Sequence, residues 1–437
     1  MIEKMKPSGI VWIGDIPKQW EVKRIKYIIS DIKDGTHSTF DRVESGELLL
    51  SAKNVFDDGI HIGNNESEIS QSDYASIIAT GFPRQNDVLL CCVGTIGRCC
   101  VYEFEKPLAF QRSVSFLRPL ENTAPAFLKY ALQSDSTIVQ EQLLLNKSAQ
   151  EGLYMGSVRE MVVPMPDTVR EQHAIATYLD TKCAKIDSVI EDIKKQIETL
   201  QKYRKSLITE VVTKGLNRSV QMKDSGITWI GQMPKHWDVC RIKDVCSLAR
   251  GGSPRPINEY LSDNPNDLNW IRIGDTTKDS KYITQTEQKI IKSGLSNSRL
   301  VHEGDLLLTN SMSFGQPYIL KIKGCIHDGW LVFSDYCGID KLFLYYVLMS
   351  ELCYIQFKTS VAGAVVENLS IDKVGVSKIF VPPIEEQSKI VEYLDFKCKG
   401  IDEILLGKEE QLEIIQSYKK SLIYEYVTGK KRVMEEN

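Results

Sequence analysis

Small, hydroxyl-bearing and basic side chains gather in short glycine-marked segments along this chain. Asp34-Gly35-Thr36-His37-Ser38, Gly94-Thr95-Ile96-Gly97-Arg98 and Phe110-Gln111-Arg112-Ser113 lie in its first half. Arg250-Gly251-Gly252-Ser253-Pro254-Arg255, Asn310-Ser311 and Ile326-His327-Asp328-Gly329 lie in its second. Such residues suit contact with DNA: arginine forks onto guanine, glutamine and asparagine pair with adenine, and hydroxyl or backbone N–H groups hold phosphates. The candidates are Thr36, His37, Arg98, Gln111 and Arg112, then Arg250, Ser253, Arg255, Asn310, Ser311 and His327. Each of them, taken singly, also reads as a solvated loop side chain or a structural turn.

Signatures of catalysis are missing around these segments. The sequence has no G-x-x-x-x-G-K-[ST] phosphate loop, no G-x-G-x-x-G, no H-E-x-x-H and no G-x-S-x-G. Amino-group methylation needs an Asn/Asp-Pro-Pro-aromatic run, and Val381-Pro382-Pro383-Ile384 lacks both its ends. Pro166-Asp167 leads into Glu171-Gln172-His173 without the lysine of a nuclease site. The 11 cysteines form no C-x2-C pair. The doublets Cys91-Cys92 and Cys99-Cys100 point to opposite faces if they lie on strands, so free thiols are expected, with no metal site. A net charge of −4 decides nothing about DNA until the charges are placed on a surface.

The elements that must position the loops are written twice. Residues 8–26, SGIVWIGDIPKQWEVKRIK, return at 225–243 as SGITWIGQMPKHWDVCRIK, with 13 of 19 positions identical at an offset of 217. Glu171-Gln172, Tyr178-Leu179-Asp180 and Ser206-Leu207-Ile208 return as Glu386-Gln387, Tyr393-Leu394-Asp395 and Ser421-Leu422-Ile423 at an offset of 215. Between them lie middles of equal length, about 27–163 and 244–380, with little identity. The middles read as mixed α/β domains. Strands are predicted at 47–51, 87–93, 112–117, 270–273, 305–309 and 330–333, and helices near 127–134 and 341–351. The tryptophan-bearing lead-ins read as packing straps that dock each middle onto the helices, or else as a partner interface.

Proline-rich stops, Val163-Pro164-Met165-Pro166 and Val381-Pro382-Pro383, announce two long helices. In the first, Leu179, Cys183, Ile186, Ile190, Ile193, Ile197 and Leu200 alternate by four and three, a heptad seam. The second matches with Leu394, Cys398, Ile401, Leu405, Leu412 and Ile415, but Lys408 breaks the seam beside Gly407, where a weaker helix is expected. The two seams can cover each other as an intramolecular antiparallel pair, or a second chain can cover them in a homodimer. No apolar run reaches the roughly 20 residues that span a bilayer, and the polar N-terminus does not read as a signal peptide. A cytoplasmic location is expected.

The tandem SGI-x-WIG-x-[IM]-P-K-x-W lead-ins, Pro382-Pro383-Ile384-Glu385-Glu386-Gln387, the I-x-x-YLD segments and the YKKSLI-like helix ends resemble those of type I restriction-modification specificity subunits, over nearly the whole chain. With the repeat, the resemblance implies an α/β (α+β) fold: two pseudo-symmetric globular target recognition domains separated by a long intramolecular antiparallel coiled-coil helix pair. The expected boundaries are 1–165 and 217–382 for the recognition domains, and 166–216 and 383–430 for the helices. The resemblance further implies double-stranded DNA as ligand, each domain reading half of a two-part target. Two methyltransferase subunits and motor-nuclease subunits are the implied partners, with no membrane. The chain itself would carry no cofactor. The complex would use S-adenosylmethionine to methylate adenine, and ATP and magnesium with the motor. A stand-alone dimeric DNA-binding regulator is the competing reading; a fused restriction or modification enzyme and a purely structural spacer are weaker ones.

Overall fold

In a computed structural model the chain is described over residues 4–145, 152–227, 230–277, 280–311, 314–362 and 368–433. Trp229 of the second lead-in lies outside the described residues. The chain divides into two compact units. One runs to Lys194 and takes in the segment from Glu410 onward; the other is Lys195–Glu409. The long helices are Val169–Lys214 and Ile384–Val427. Each therefore begins in one unit and ends in the other.

In the first unit the central sheet has four strands, ordered Cys99–Val101, Val88–Cys91, Val114–Pro119 and Ile29–Asp34, all antiparallel. Alternation along Val88–Cys91 buries both of its faces. Cys92 and Cys99 join Val88 and Leu90 in the core that meets the long helices, while Cys91 and Cys100 join Leu89 in a second core. The cysteine doublets thus do point to opposite faces, and burial pushes the Cys92 and Cys100 thiols up to about 12. A smaller sheet pairs Glu47–Leu50 parallel to Ala109–Phe110. The second unit repeats this plan. Counted from the Ile29–Asp34 edge, Ser247–Arg250, Trp330–Ser334, Leu306–Thr309 and Pro317–Leu320 take the same order, with Tyr282–Ile283 added beyond Pro317–Leu320. Leu268–Ile271 pairs parallel to Gly324–Ile326.

The lead-ins fold as straps. In each, a turn closes with Gly14 or Gly231 donating to the carbonyl of Ile10 or Ile227, at 2.9 and 3.1 Å. Both glycines sit at φ near +70°, a region closed to most side chains. Each strap then forms a strand, Glu21–Arg24 or Asp238–Arg241, antiparallel to the strand entering the long helix, Val162–Met165 or Lys378–Val381. Trp20 and Trp237 are fully buried. Their indole N–H groups donate to Glu171 at 3.3 Å and Glu386 at 3.1 Å. The neighbouring glutamines are buried as well. Gln172 accepts from the Ala124 N–H at 2.8 Å, and Gln387 accepts from the Asp340 N–H at 2.7 Å. Those two residues cap the helices Pro125–Gln133 and Lys341–Met349. The Glu-Gln dipeptide that opens each long helix therefore holds the strap with one side chain and the short helix, Pro125–Gln133 or Lys341–Met349, with the other.

The seams close within one chain. In the first unit Leu179, Cys183 and Ile186 share a core with Leu422, Ile423, Tyr426 and Val427 of the second helix. Tyr178 packs on Tyr426 at 4.5 Å between ring centroids, and Asp187 receives Lys419 at 2.6 and 2.7 Å. Residue numbers climb on one helix as they fall on the other, so the pair is antiparallel. In the second unit Leu394, Cys398, Ile401 and Leu405 share a core with Leu207 and Ile208, with Ile197 and Leu200 packed against it. There Arg204 lies 3.0 Å from Asp402, at the positions equivalent to Lys419 and Asp187. Ile190 and Ile193 are buried, and Leu412 and Ile415 half-buried. The second helix runs unbroken through Gly407 and Lys408. No helix among the described residues is long and apolar enough to cross a membrane.

Two expectations follow from this packing. A Cβ built on Gly407 meets nothing within 4 Å. Gly407→Ala should therefore stabilise the protein by about 0.5–1 kcal/mol through helix propensity, measured as a raised denaturant midpoint. No rise would mean that the helix tolerates the glycine for a reason of packing.

The second concerns Glu141, on the helix Asp135–Leu144, whose carboxyl is buried against Gly97 with Oε1 unpartnered. Burial, helped by Asp57, pushes it up to about 7. The native state then holds a proton that the unfolded chain releases from about pH 4.5 upward. Stability should fall between roughly pH 4.5 and 7 and level off above, by a few kcal/mol at most. Glu141→Gln should remove that slope and stabilise the protein at pH 8; equal slopes in denaturant melts of the two proteins would refute the assignment.

Candidate nucleic-acid interface

The sheet registers bring most of the loop candidates of each unit to one end of its central sheet. In the first unit Asp34 pairs with Ser115, Val114 with Cys91, and Cys99 with Leu90. The segments just past these residues, Gly35–His37, Gln111–Ser113 and Gly94–Arg98, consequently lie side by side. The Thr36 N–H donates to the Phe110 carbonyl at 2.8 Å, and the Arg112 N–H donates to the Thr36 carbonyl at 2.9 Å. This crossing explains Gly35, because a Cβ there would collide with the Gln111 carbonyl. His37 is largely exposed, with Nε2 3.8 Å from Asp34. Asp34 itself accepts from the Ser115 hydroxyl. Arg112 is exposed and Gln111 half-buried. Arg98 is steadied by its guanidinium lying 5.0 Å over the Phe56 ring, which stacks in turn on His61.

The second unit builds the same crossing from other side chains. Arg250 pairs with Leu331, and Trp330 with Thr309. The Gly252 N–H donates to the Ile326 carbonyl at 3.1 Å, and a Cβ on Gly251 would collide with the His327 carbonyl. Here the hub is Asp328, which sequence reasoning did not select. Ser253 donates to its carboxylate at 2.7 Å, and Arg250 Nε donates to its carbonyl at 2.8 Å. The Arg255 guanidinium lies 4.0 Å from the same carboxylate and is 82 % exposed. The hydrogen bond from Ser253 holds the Asp328 carboxyl below its usual range. Arg299, also unselected, donates to the Arg250 carbonyl at 2.9 Å.

Two candidates of the second unit are tied into the fold instead of facing outward. Asn310 is 1 % exposed, and its amide donates to the Asp328 carbonyl at 2.8 Å. His327 lies with Nδ1 2.8 Å from the Gly329 N–H and Nε2 3.1 Å from the Ile273 N–H. A neutral imidazole can accept only one of these, and a protonated ring neither. Burial accordingly pulls its pKa down. Ser311 is half-buried. Among the described residues no three His, Cys, Asp or Glu side chains gather as metal ligands.

With this geometry in view, comparison with known proteins is direct. Residues 17–199 and 234–413 each match the type I restriction modification DNA specificity domain. A protein named as the specificity subunit of type I restriction enzyme MjaX, from Methanocaldococcus jannaschii, is 26% identical over 96% of both chains. The MjaVIII specificity subunit of the same organism is 26% identical over 97% of this chain and 95% of its own. Among solved structures, a chain described in work on complex assembly and conformational transition of the type I R-M system superposes with a TM-score of 0.70 at 14% identity. That match covers 95% of this chain and 99% of the other. Two matched domains, full-length relatives and a shared fold agree: the chain belongs to the type I restriction-modification DNA specificity family.

Proposed function

We propose that this chain is the DNA-reading, non-catalytic subunit of a type I restriction-modification complex, each unit reading one half of a two-part target in double-stranded DNA. One observation carries the reading: two equivalent crossings at the ends of two equivalent sheets bear different side chains on one backbone. A shared scaffold with divergent loops is what two readers of unlike half-sites require.

The long helices would set the gap between half-sites and dock two methyltransferase subunits, one on each copy of the scaffold. Supporting this, Val189 and Ile404 occupy equivalent positions, as do Tyr203 and Tyr418, and all four are between 45 and 56 % exposed. Exposed aromatic and branched side chains repeated in this way suit anchors for two copies of one partner. S-adenosylmethionine for adenine methylation would belong to the methyltransferase subunits, and ATP and magnesium to motor-nuclease subunits.

The test is to purify the chain with its methyltransferase partners and map methylated adenines in DNA. A bipartite motif with an unspecified gap is expected. Tight, site-specific binding by the chain alone as a dimer would instead favour a stand-alone regulator. Removing one heptad from both helices withdraws about 10 Å of rise, roughly three base pairs. The gap should shorten by about that amount with both half-sites kept; altered half-sites with an unchanged gap would sink the spacer role.

A further inference from the structure

Superposing the two crossings residue by residue shows an exchange of charge. Gly35 and Gly251 are equivalent, because each abuts the carbonyl of the equivalent residues Gln111 and His327. Counting from these, Asp34 stands where the second unit has Arg250, and Arg112 stands where it has Asp328. The pairings Asp34–Ser115 and Arg250–Leu331 confirm the register. The first unit thus carries its carboxylate at the strand end and its guanidinium in the facing loop. The second carries them the other way round.

The surroundings fit each arrangement. Asp34 has the Ser115 hydroxyl as donor, and the second unit has Leu331 at that place, with no donor to offer. Arg250 has its Nε fixed by the Asp328 carbonyl, while its two terminal nitrogens find no partner among the described residues. A guanidinium anchored through Nε presents those nitrogens as a preset fork, the geometry that matches two acceptors on a guanine edge. A carboxylate beside it accepts from an amino group such as that of cytosine, and repels phosphate.

We propose that this charge-exchanged pair, Asp34 with Arg112 in one unit and Arg250 with Asp328 in the other, is a specificity-determining element that makes the two units prefer different bases at the same step of the groove. The Asp328 carboxylate acts in it as a positioning group for Ser253 and Arg255, beside the backbone carbonyl that fixes Arg250. The inference rests on the DNA-reading function proposed above.

The test uses the chain assembled with its methyltransferase partners, carrying Asp328→Asn, or Arg250→Asp together with Asp328→Arg. Asparagine keeps an oxygen for Ser253, so this variant tests the charge with little threat to folding. Motif mapping and competition among duplexes permuted at each position are the readouts. Asp328→Asn should reduce discrimination at one or two positions of a single half-site by about tenfold. The double variant should change the preferred base there, and the other half-site should be untouched in both. Unchanged preferences in assembled Asp328→Asn complexes overturn the proposal. So does a uniform loss of affinity with a shallower salt dependence, which marks phosphate contacts alone. Replacing residues 244–380 by the middle of a relative separates the two levels. If that exchange moves a half-site and the charge variants do not, only this proposal fails; if it moves nothing, the DNA-reading function fails with it.

Discussion

A helix of more than 40 residues with an apolar residue at every third or fourth place cannot hide that stripe by itself. Everything else in this chain depends on covering it. The cover comes from the other copy of the same helix, running the opposite way, so the first unit completes its core from two separate stretches of sequence. Leu422, Ile423, Tyr426 and Val427 close a core whose other members lie between Ile13 and Cys183. Contacts of that separation require closure of a long loop, and non-local pairing of this kind slows folding. The ion pairs Asp187–Lys419 and Arg204–Asp402 are partly exposed and are worth about 0.2–1 kcal/mol each. Their contribution is to register, since a slide of one turn separates both at once.

The helices would be idle without a stiff attachment to the loops. The Glu-Gln dipeptides provide it with buried, satisfied hydrogen bonds. Gln387 accepts from the Asp340 N–H and donates to the Gly338 and Pro382 carbonyls, leaving no polar atom of its amide unpaired. Truncating such a side chain strands several buried backbone groups, each costing about 1–3 kcal/mol. The direction of each long helix is thereby passed to the recognition-domain helix, and through that helix to the sheet whose end bears the loops. Position is fixed far from where bases would be read.

How far the sequence disclosed this depended on the range of the interaction. The repeat, the heptad seam, the strap and the main strands were legible because each rests on spacing within a few dozen residues. Strands Ile29–Asp34, Cys99–Val101, Ser247–Arg250 and Pro317–Leu320 of the central sheets were not singled out; Cys99–Val101 is short and carries a cysteine doublet that suggests no period. The site was legible as a set of loops but not residue by residue. Asn310 looks like a base-reading amide and is buried; His327 looks free, yet its ring nitrogens lie against backbone N–H groups 54 and 2 residues away. Asp328 was not singled out, although its segment was. Its value lies in Ser253, 75 residues distant, a partner that no local pattern announces. Lys408 interrupts the seam beside Gly407, yet the helix continues, since flanking turns carry it across one glycine at modest cost.

The two crossings separate what sterics dictate from what chemistry leaves open. Gly35 and Gly251 are forced, because any side chain would strike the opposite carbonyl. The residues beside them face no such demand. Asp34 and Arg250 each find a polar partner there, the Ser115 hydroxyl and the Asp328 carbonyl, so the same backbone carries either side chain. A duplicated reader can therefore exchange charges at these positions without moving a strand, provided a local donor or acceptor is adjusted, as Ser115 and Leu331 are. Divergence confined to such places changes what is read and leaves the apparatus that holds the reader as it was.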